Sequence, residues 1–330
     1  MKNLKMLDIY TIPLLFLCPS VVILRSFALL TSFNTVTMHF DDKLAITVAS
    51  GLIMLGILGF LTYLFVGEKE GDLIAKSDNA ASFIPAGIVS TALLFIGVHN
   101  VQMSLGIYPE GIISTISLVS GVLAFLSVIS FFLSIFIERR DNLYKSAFAL
   151  CVVFFLALYA ALLYFNKDHH PTNSPNRLVD EFAYLSAALF FLYEARIPLG
   201  RAKWRGYISF GMIATLLCTY SAIPNLILYF VNGYMLSESI FECMLTLALA
   251  LLICCRVMQT KTLTQDSECE MAKNIVFLAN LRSKEIEDNK NHSRAHNNDI
   301  KEETEEVKDA ANYTFDILTP DSTDSSTTEE

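Results

Sequence analysis

The sequence predicts an all-α fold: a polytopic integral membrane bundle of eight transmembrane helices, followed by a mostly disordered acidic cytoplasmic tail. Three observations carry that expectation. Of the 330 residues, 53% are hydrophobic and only 17% charged, against roughly a quarter charged in a soluble domain. The apolar residues fall in runs of about 20, the length that crosses a hydrocarbon layer of roughly 30 Å at about 1.5 Å per helical residue. The charge is also segregated. Residues 1–257 carry sixteen acidic and sixteen basic side chains, whereas 258–330 carry 17 acidic and 8 basic, so the whole net charge of −9 belongs to the tail.

The eight runs cover 11–31, 44–66, 83–105, 112–137, 145–165, 180–198, 207–230 and 239–257. Backbone groups surrounded by lipid must hydrogen-bond within their own segment, and no run shows the polar alternation of a barrel strand, so the runs read as helices. The first follows MKNLK as a signal peptide would, but no small-x-small cleavage site comes after it, and it reads as a retained anchor.

Orientation follows from Lys and Arg in the connections. Thirteen basic residues fall on one side: Lys2, Lys5, Lys69, Lys76, Arg139, Arg140, Lys145, Arg196, Arg201, Lys203, Arg205, Arg256 and Lys261. Three fall on the other, Lys43, Lys167 and Arg177. The chain is therefore expected to be multi-pass in a plasma or cytoplasmic membrane, with both termini cytoplasmic, and the even number of runs agrees. No N-x-S/T sequon lies in the four outer connections, and none of the seven cysteines lies there either, so no extracytoplasmic disulfide framework is implied. Cys254 and Cys255 end the last run, where packing explains them and acylation is the alternative.

The stretch from Arg177 to Arg205, RLVDEFAYLSAALFFLYEARIPLGRAKWR, needs a separate account because it starts with two adjacent acids. Wound as a helix, it places Asp180, Tyr184, Ala187, Phe191 and Glu194 on one face, giving a spanning segment with a polar edge. Glu194 precedes Arg196 and Arg201 and reads as one half of a cytoplasmic salt bridge. For Asp180 and Glu181, contact with water and a partner inside the bundle stand as equal readings. A central acid costs about 2.5 to 3.5 kcal/mol, less toward the boundaries.

Arg25 is the least comfortable residue in the chain. It lies inside the first run and must find a carboxylate, reach outward or face a wet cavity. Its candidate partners on the same side are Asp42, Asp180, Glu181 and Glu242. The third run brings His99, Asn100 and Gln102 toward that side, and the seventh brings Ser221, Pro224 and Asn225. Pro224 cannot donate to the carbonyl of Tyr220, which is left to accept from elsewhere or to face a cavity, and it makes the seventh run the best candidate for a kink. The polar candidates are thus Arg25, His99, Asn100, Asp180, Glu181, Asn225 and Glu242, with interhelical hydrogen bonding explaining the two asparagines as well as a pocket does.

His39, His99, His169 and His170 also gather on the outer side and are of the type that holds a transition metal. No HExxH or HxxxH sets two of them on one helical face, so neither a metal nor any cofactor is assigned. GxSxG, a phosphate-binding glycine loop and a dinucleotide fingerprint are absent from the sequence. The neutral bundle and acidic tail give no footprint for nucleic acid.

Within the tail, residues 266–287 fit one helix, with Met271, Ile275, Leu278 and Leu281 near one face; the rest is too acidic and too poor in apolar residues to build a core. DKLA at Asp42 and DEFA at Asp180, with EGII at Glu110 and ESIF at Glu238, match across the halves and raise a four-plus-four parallel repeat. The leading functional expectation is a non-catalytic sensor, assembly or accessory protein. The lipid bilayer is its solvent, and its tail docks a cytoplasmic protein. A small-molecule or ion transporter with an outward polar site comes second, and an intramembrane enzyme third.

Overall fold

The structure, a computed structural model, describes residues 6–34, 39–67, 73–75, 80–106, 111–136, 143–165, 175–197, 199, 201–234, 236, 239–262 and 282. It is all-helical apart from two short ladders. In chain order the elements are α1 (Met6–Thr31), β1 (Phe33–Asn34), β2 (His39–Phe40), α2 (Leu44–Val66), β3 (Leu73–Ala75), α3 (Ala80–Gly106), α4 (Ile112–Phe136), α5 (Leu143–Phe165), α6 (Pro175–Glu194), α7 (Trp204–Asn232), α8 (Ile240–Met258) and β4 (Thr260–Thr262). The chain divides into two units, Met1–Glu268 and Cys269–Glu330. Apart from Arg282, the expected tail helix at 266–287 lies outside the described residues.

Seven of these helices are long and apolar enough to cross a membrane. The sequence expectation was eight. The difference is α6, which carries Arg177, Asp180, Glu181 and Glu194 within its 20 residues. It also starts earlier than its apolar run does, so Arg177 belongs to its first turn and not to an outer connection.

Local chemistry ends the helices where the sequence changes. Asp42 accepts from the backbone N–H of Leu44 at 2.9 Å and so supports the start of α2. Ser239 caps α8 by accepting from the N–H of Glu242 at 3.3 Å. Gly233 closes α7 with a φ of 67°, a left-handed conformation that glycine adopts without a Cβ penalty, and its N–H returns to Tyr229.

Helices α3, α4, α5, α6, α7 and α8 pack each against the next, and α3 closes the circuit onto α8. Helices α1 and α2 pack on each other and on α7. Helix α7 is therefore the hub: 78% of its most apolar window is buried, against 17% for α2. The outward faces are apolar, as in Leu55 and Phe65 of α2 or Phe16 and Ile23 of α1, which suits hydrocarbon as the surrounding solvent. A four-plus-four repeat would pack α2 on α3 as α6 packs on α7. Among the described residues α2 packs chiefly on α1 and α7, so the two halves are not packed alike.

The ladders lie at opposite ends of the helices. β1 pairs antiparallel with β2, Phe33 opposite Phe40, and joins Ala28, Leu29, Leu228 and Leu236 in a small apolar cluster. β3, between α2 and α3, pairs antiparallel with β4, with Leu73 opposite Thr262 and Ala75 opposite Thr260.

Candidate functional site

The polar edge of α6 faces inward. Asp180, Tyr184, Ala187 and Phe191 are buried, while Leu178, Phe182, Leu185 and Leu189 on the opposite face are exposed. Asp180 accepts a short hydrogen bond from the Ser221 hydroxyl of α7. The guanidinium of Arg25 lies within electrostatic reach of Asp180, so among the acids proposed from sequence Asp180 is one the fold brings to Arg25.

Arg25 is fully buried. Its Nη1 donates to the carbonyl oxygen of Tyr220 at 2.7 Å, and its Cζ sits 4.4 Å from the centroid of the Tyr220 ring. Pro224 is the local reason. Having no N–H, it leaves the oxygen four residues earlier without its helical donor, and in a water-free interior that acceptor is filled by a side chain from α1. The expectation of a free Tyr220 carbonyl is met here. Cation–π attraction to the same residue adds about 2 kcal/mol in a desolvated setting.

A second string of bonds continues the layer toward α8. The Tyr184 hydroxyl pairs with Thr246 Oγ1 at 2.9 Å, and Thr246 Oγ1 donates to the carbonyl of Glu242 at 2.9 Å. Tyr184 lies within electrostatic reach of both Glu242 and Asp180. Arg25, Asp180, Tyr184, Ser221, Thr246 and Glu242 thus form one buried layer across α1, α6, α7 and α8, and Asn225 lies one turn beyond Ser221 on α7. Thr246 was not singled out from sequence, and Tyr184 was placed on the polar edge of α6 without a partner. Their types are ordinary in apolar spans, and only the crossing of α6 with α8 makes them partners.

The remaining candidates go elsewhere. Glu181 pairs with Arg177 one turn earlier at 2.9 Å, and Arg177 Cζ also lies 5.1 Å from the Tyr164 ring centroid. Asn100 belongs to the α3–α4 interface: its Nδ2 donates to Ser120 Oγ at 3.3 Å and its carbonyl accepts from Ser117 at 2.9 Å. That is the interhelical reading, without a ligand. Asp42 is taken up at the start of α2. His99 is half-buried on α3 and His39 is exposed beside Phe40, while His169 and His170 lie outside the described residues. Among the described residues no three His, Cys, Asp or Glu side chains converge to hold a metal ion.

At the other end of α6, Glu194 does form a salt bridge, and the partner is one the sequence did not indicate. Arg256 of α8 donates from Nη1 to Glu194 Oε2 at 2.5 Å. Arg196 instead lies with its Cζ 5.4 Å from the Tyr193 ring centroid. Arg256 is 62 residues away along the chain, and no local pattern connects it to Glu194.

Chemically this buried layer holds one guanidinium and two carboxylates, with hydroxyls between them. It can lock helices together and can exchange protons among its members. The chain matches no family model, no curated protein and no solved structure.

Proposed function

We propose that this chain is a membrane platform: a non-catalytic sensor, assembly or accessory protein whose bundle presents the acidic segment beyond α8 to a cytoplasmic protein. The observation that carries this reading is the engagement of the bundle's internal charges by other helices or by their own turn. Arg25 is held by Tyr220, Asp180 by Ser221, Glu181 by Arg177 and Glu194 by Arg256. Polar groups spent in this way stabilise a scaffold, and the activity is assigned to what the scaffold carries.

In this reading α6 is the eighth span. Its charges point into the bundle, and its outward stripe of Leu178, Phe182, Leu185 and Leu189 is apolar, so its low hydropathy reflects an inward polar face. Both termini are then cytoplasmic. The expected result of deleting residues 263–330 is a monodisperse bundle in detergent that no longer co-purifies its stoichiometric partner from native membranes. A truncated chain that keeps the same partner overturns the reading.

One observation favours transport as a second reading: the layer of Arg25, Asp180 and Glu242 lies at the end of the helices away from β3 and β4, beside the proline-bearing segment of α7. Flux through proteoliposomes by the truncated chain, lost on Arg25→Gln, would favour this alternative over the platform.

A further inference from the structure

A buried arginine is costly in an apolar bundle, and its donors are expected to be spent on acceptors within the fold. Arg25 and Arg256 are both buried and reach across to other helices, at Tyr220 and Glu194. Arg177, in the first turn of α6 and 3% exposed, pairs instead within its own helix, where its Nε donates to Glu181 Oε1 at 2.9 Å. Its Nη1 is buried as well and meets no hydrogen-bond acceptor among the described residues.

A guanidinium facing a carboxylate ordinarily closes a fork of two parallel bonds. The Arg177–Glu181 pair makes one. A donor is left over on the arginine, and an acceptor, Oε2, on the glutamate, to which no second donor is bonded among the described residues. The pair has already cancelled its net charge, so a bare anion gains little from Arg177 and is repelled by Glu181. The two leftover groups match a zwitterion, with an anionic oxygen for Nη1 and a primary ammonium for Oε2.

The surroundings of the pair are those of a lipid ligand. Arg177 Cζ lies 5.1 Å from the centroid of the Tyr164 ring in the last turn of α5, and Tyr164 packs edge-on against Phe165. Tyr164, Phe165, Leu178 and Phe182 are all exposed, Tyr164 at 58%. Apolar and aromatic side chains thus stand beside the charge pair at the outset of α6. The other end of that helix bonds Arg256 next to β4, so the pair belongs to the end of the bundle away from β3 and β4. Exposed aromatic rings at a helix end suit the boundary between headgroups and acyl chains.

We propose that Arg177 and Glu181 form a headgroup site for phosphatidylethanolamine in the leaflet at that end. Nη1 donates to the phosphate, Oε2 accepts from the ammonium, and the exposed Tyr164 ring swings aside to admit them. The proposal rests on the reading of α6 as a membrane span. Phosphatidylcholine fits less well, because a trimethylammonium has no N–H for Oε2. Phosphatidylglycerol has no cation and sets its charge against Glu181. A free zwitterion carries the same polar groups but leaves Leu178 and Phe182 uncovered.

The test reconstitutes the full chain into vesicles of equal parts phosphatidylethanolamine, phosphatidylcholine and phosphatidylglycerol. Flotation is checked, and mass spectrometry measures the lipid retained on the detergent-extracted protein. Retention of phosphatidylethanolamine should exceed that of phosphatidylcholine by about tenfold, the worth of one hydrogen bond to a charged group. Glu181→Met should remove that preference. So should the double variant Arg177→Met with Glu181→Met, which takes out both charges together and leaves neither unpaired in the fold. Equal retention of the three lipids by the parent overturns the site, as does an undiminished preference in the double variant. Phosphatidylglycerol retained over phosphatidylethanolamine also overturns it. Displacement of the lipid by free phosphoethanolamine at equal concentration overturns the lipid assignment and gives the site to a soluble zwitterion. Failure of the parent to float instead sinks the membrane reading, and the site with it.

Discussion

Two interfaces of the bundle solve the same problem by opposite means. Between α3 and α4 the helices touch through small, uncharged residues. A Cβ on Gly121 would meet Val101 Cγ2 at 2.8 Å and the Gly97 carbonyl oxygen at 3.0 Å, so the backbones are in near contact. Ser104 and Ser114 exchange hydrogen bonds through their hydroxyls and carbonyls at 2.9 to 3.1 Å. Across α1, α6, α7 and α8, buried charges do the joining, with Arg25, Asp180 and Glu194–Arg256 at the crossings. The first type of contact is cheap to form and cheap to lose. The second orders helices from distant parts of the chain, but removal of one partner leaves an uncompensated charge.

Substitutions can break or sharpen this contrast. The largest loss is expected for Arg25→Leu, which strips Asp180 of its nearby cation and leaves the Tyr220 carbonyl without its donor; about 3 to 5 kcal/mol should be lost. Thermal melting of the purified protein in detergent measures it, and a melting temperature equal to that of the parent would remove the claim that charge holds this side together. Next comes Gly121→Leu, which drives a side chain into Val101 and should cost about 1 to 3 kcal/mol by overpacking. Cysteine cross-linking between α3 and α4, introduced at Ser104 and Ser114, should then lose yield.

Glu194→Gln comes third. It keeps the shape but removes the charge opposite Arg256, and because Glu194 is partly accessible a loss of about 1 to 2 kcal/mol is expected, below that of a fully buried pair. A double cycle with Arg256→Gln measures the coupling, and additivity of the two changes would show that the pair is not coupled. Smallest is Ser104→Ala, at about 0.6 kcal/mol, the average for an interhelical hydrogen bond in a membrane. Loss of several kcal/mol there would erase the distinction between the two interfaces.

The same contrast explains what could be read before the fold was seen. Charged residues in apolar runs announce themselves, so Arg25 and Asp180 were legible, and the 3.6-residue spacing put Asp180, Tyr184, Ala187, Phe191 and Glu194 on a common face, whose first four members the fold turns inward. Pro224 exposed the Tyr220 carbonyl by simple covalent logic. What the chain does not spell out locally is who meets whom. Glu194 was matched to the arginines beside it, but the crossing of α6 and α8 gave it Arg256. Gly97, Gly121, Ser104 and Ser114 carried no signal, because small residues are common in spans and only the close approach of α3 and α4 gives them meaning. The paired strands β3 and β4 were equally silent: three residues each, separated by most of the chain, with no alternation long enough to detect.

That small ladder has a mechanical consequence. Thr260–Thr262 leaves α8 already laced to Leu73–Ala75, so a pull on the chain beyond residue 262 is shared between α8 and the linker joining α2 to α3. Load reaches two anchorages at once. Such a tug would first have to unzip those paired strands before it could draw on α8 alone, which gives this end of the bundle a yield point well short of pulling a helix from its seat.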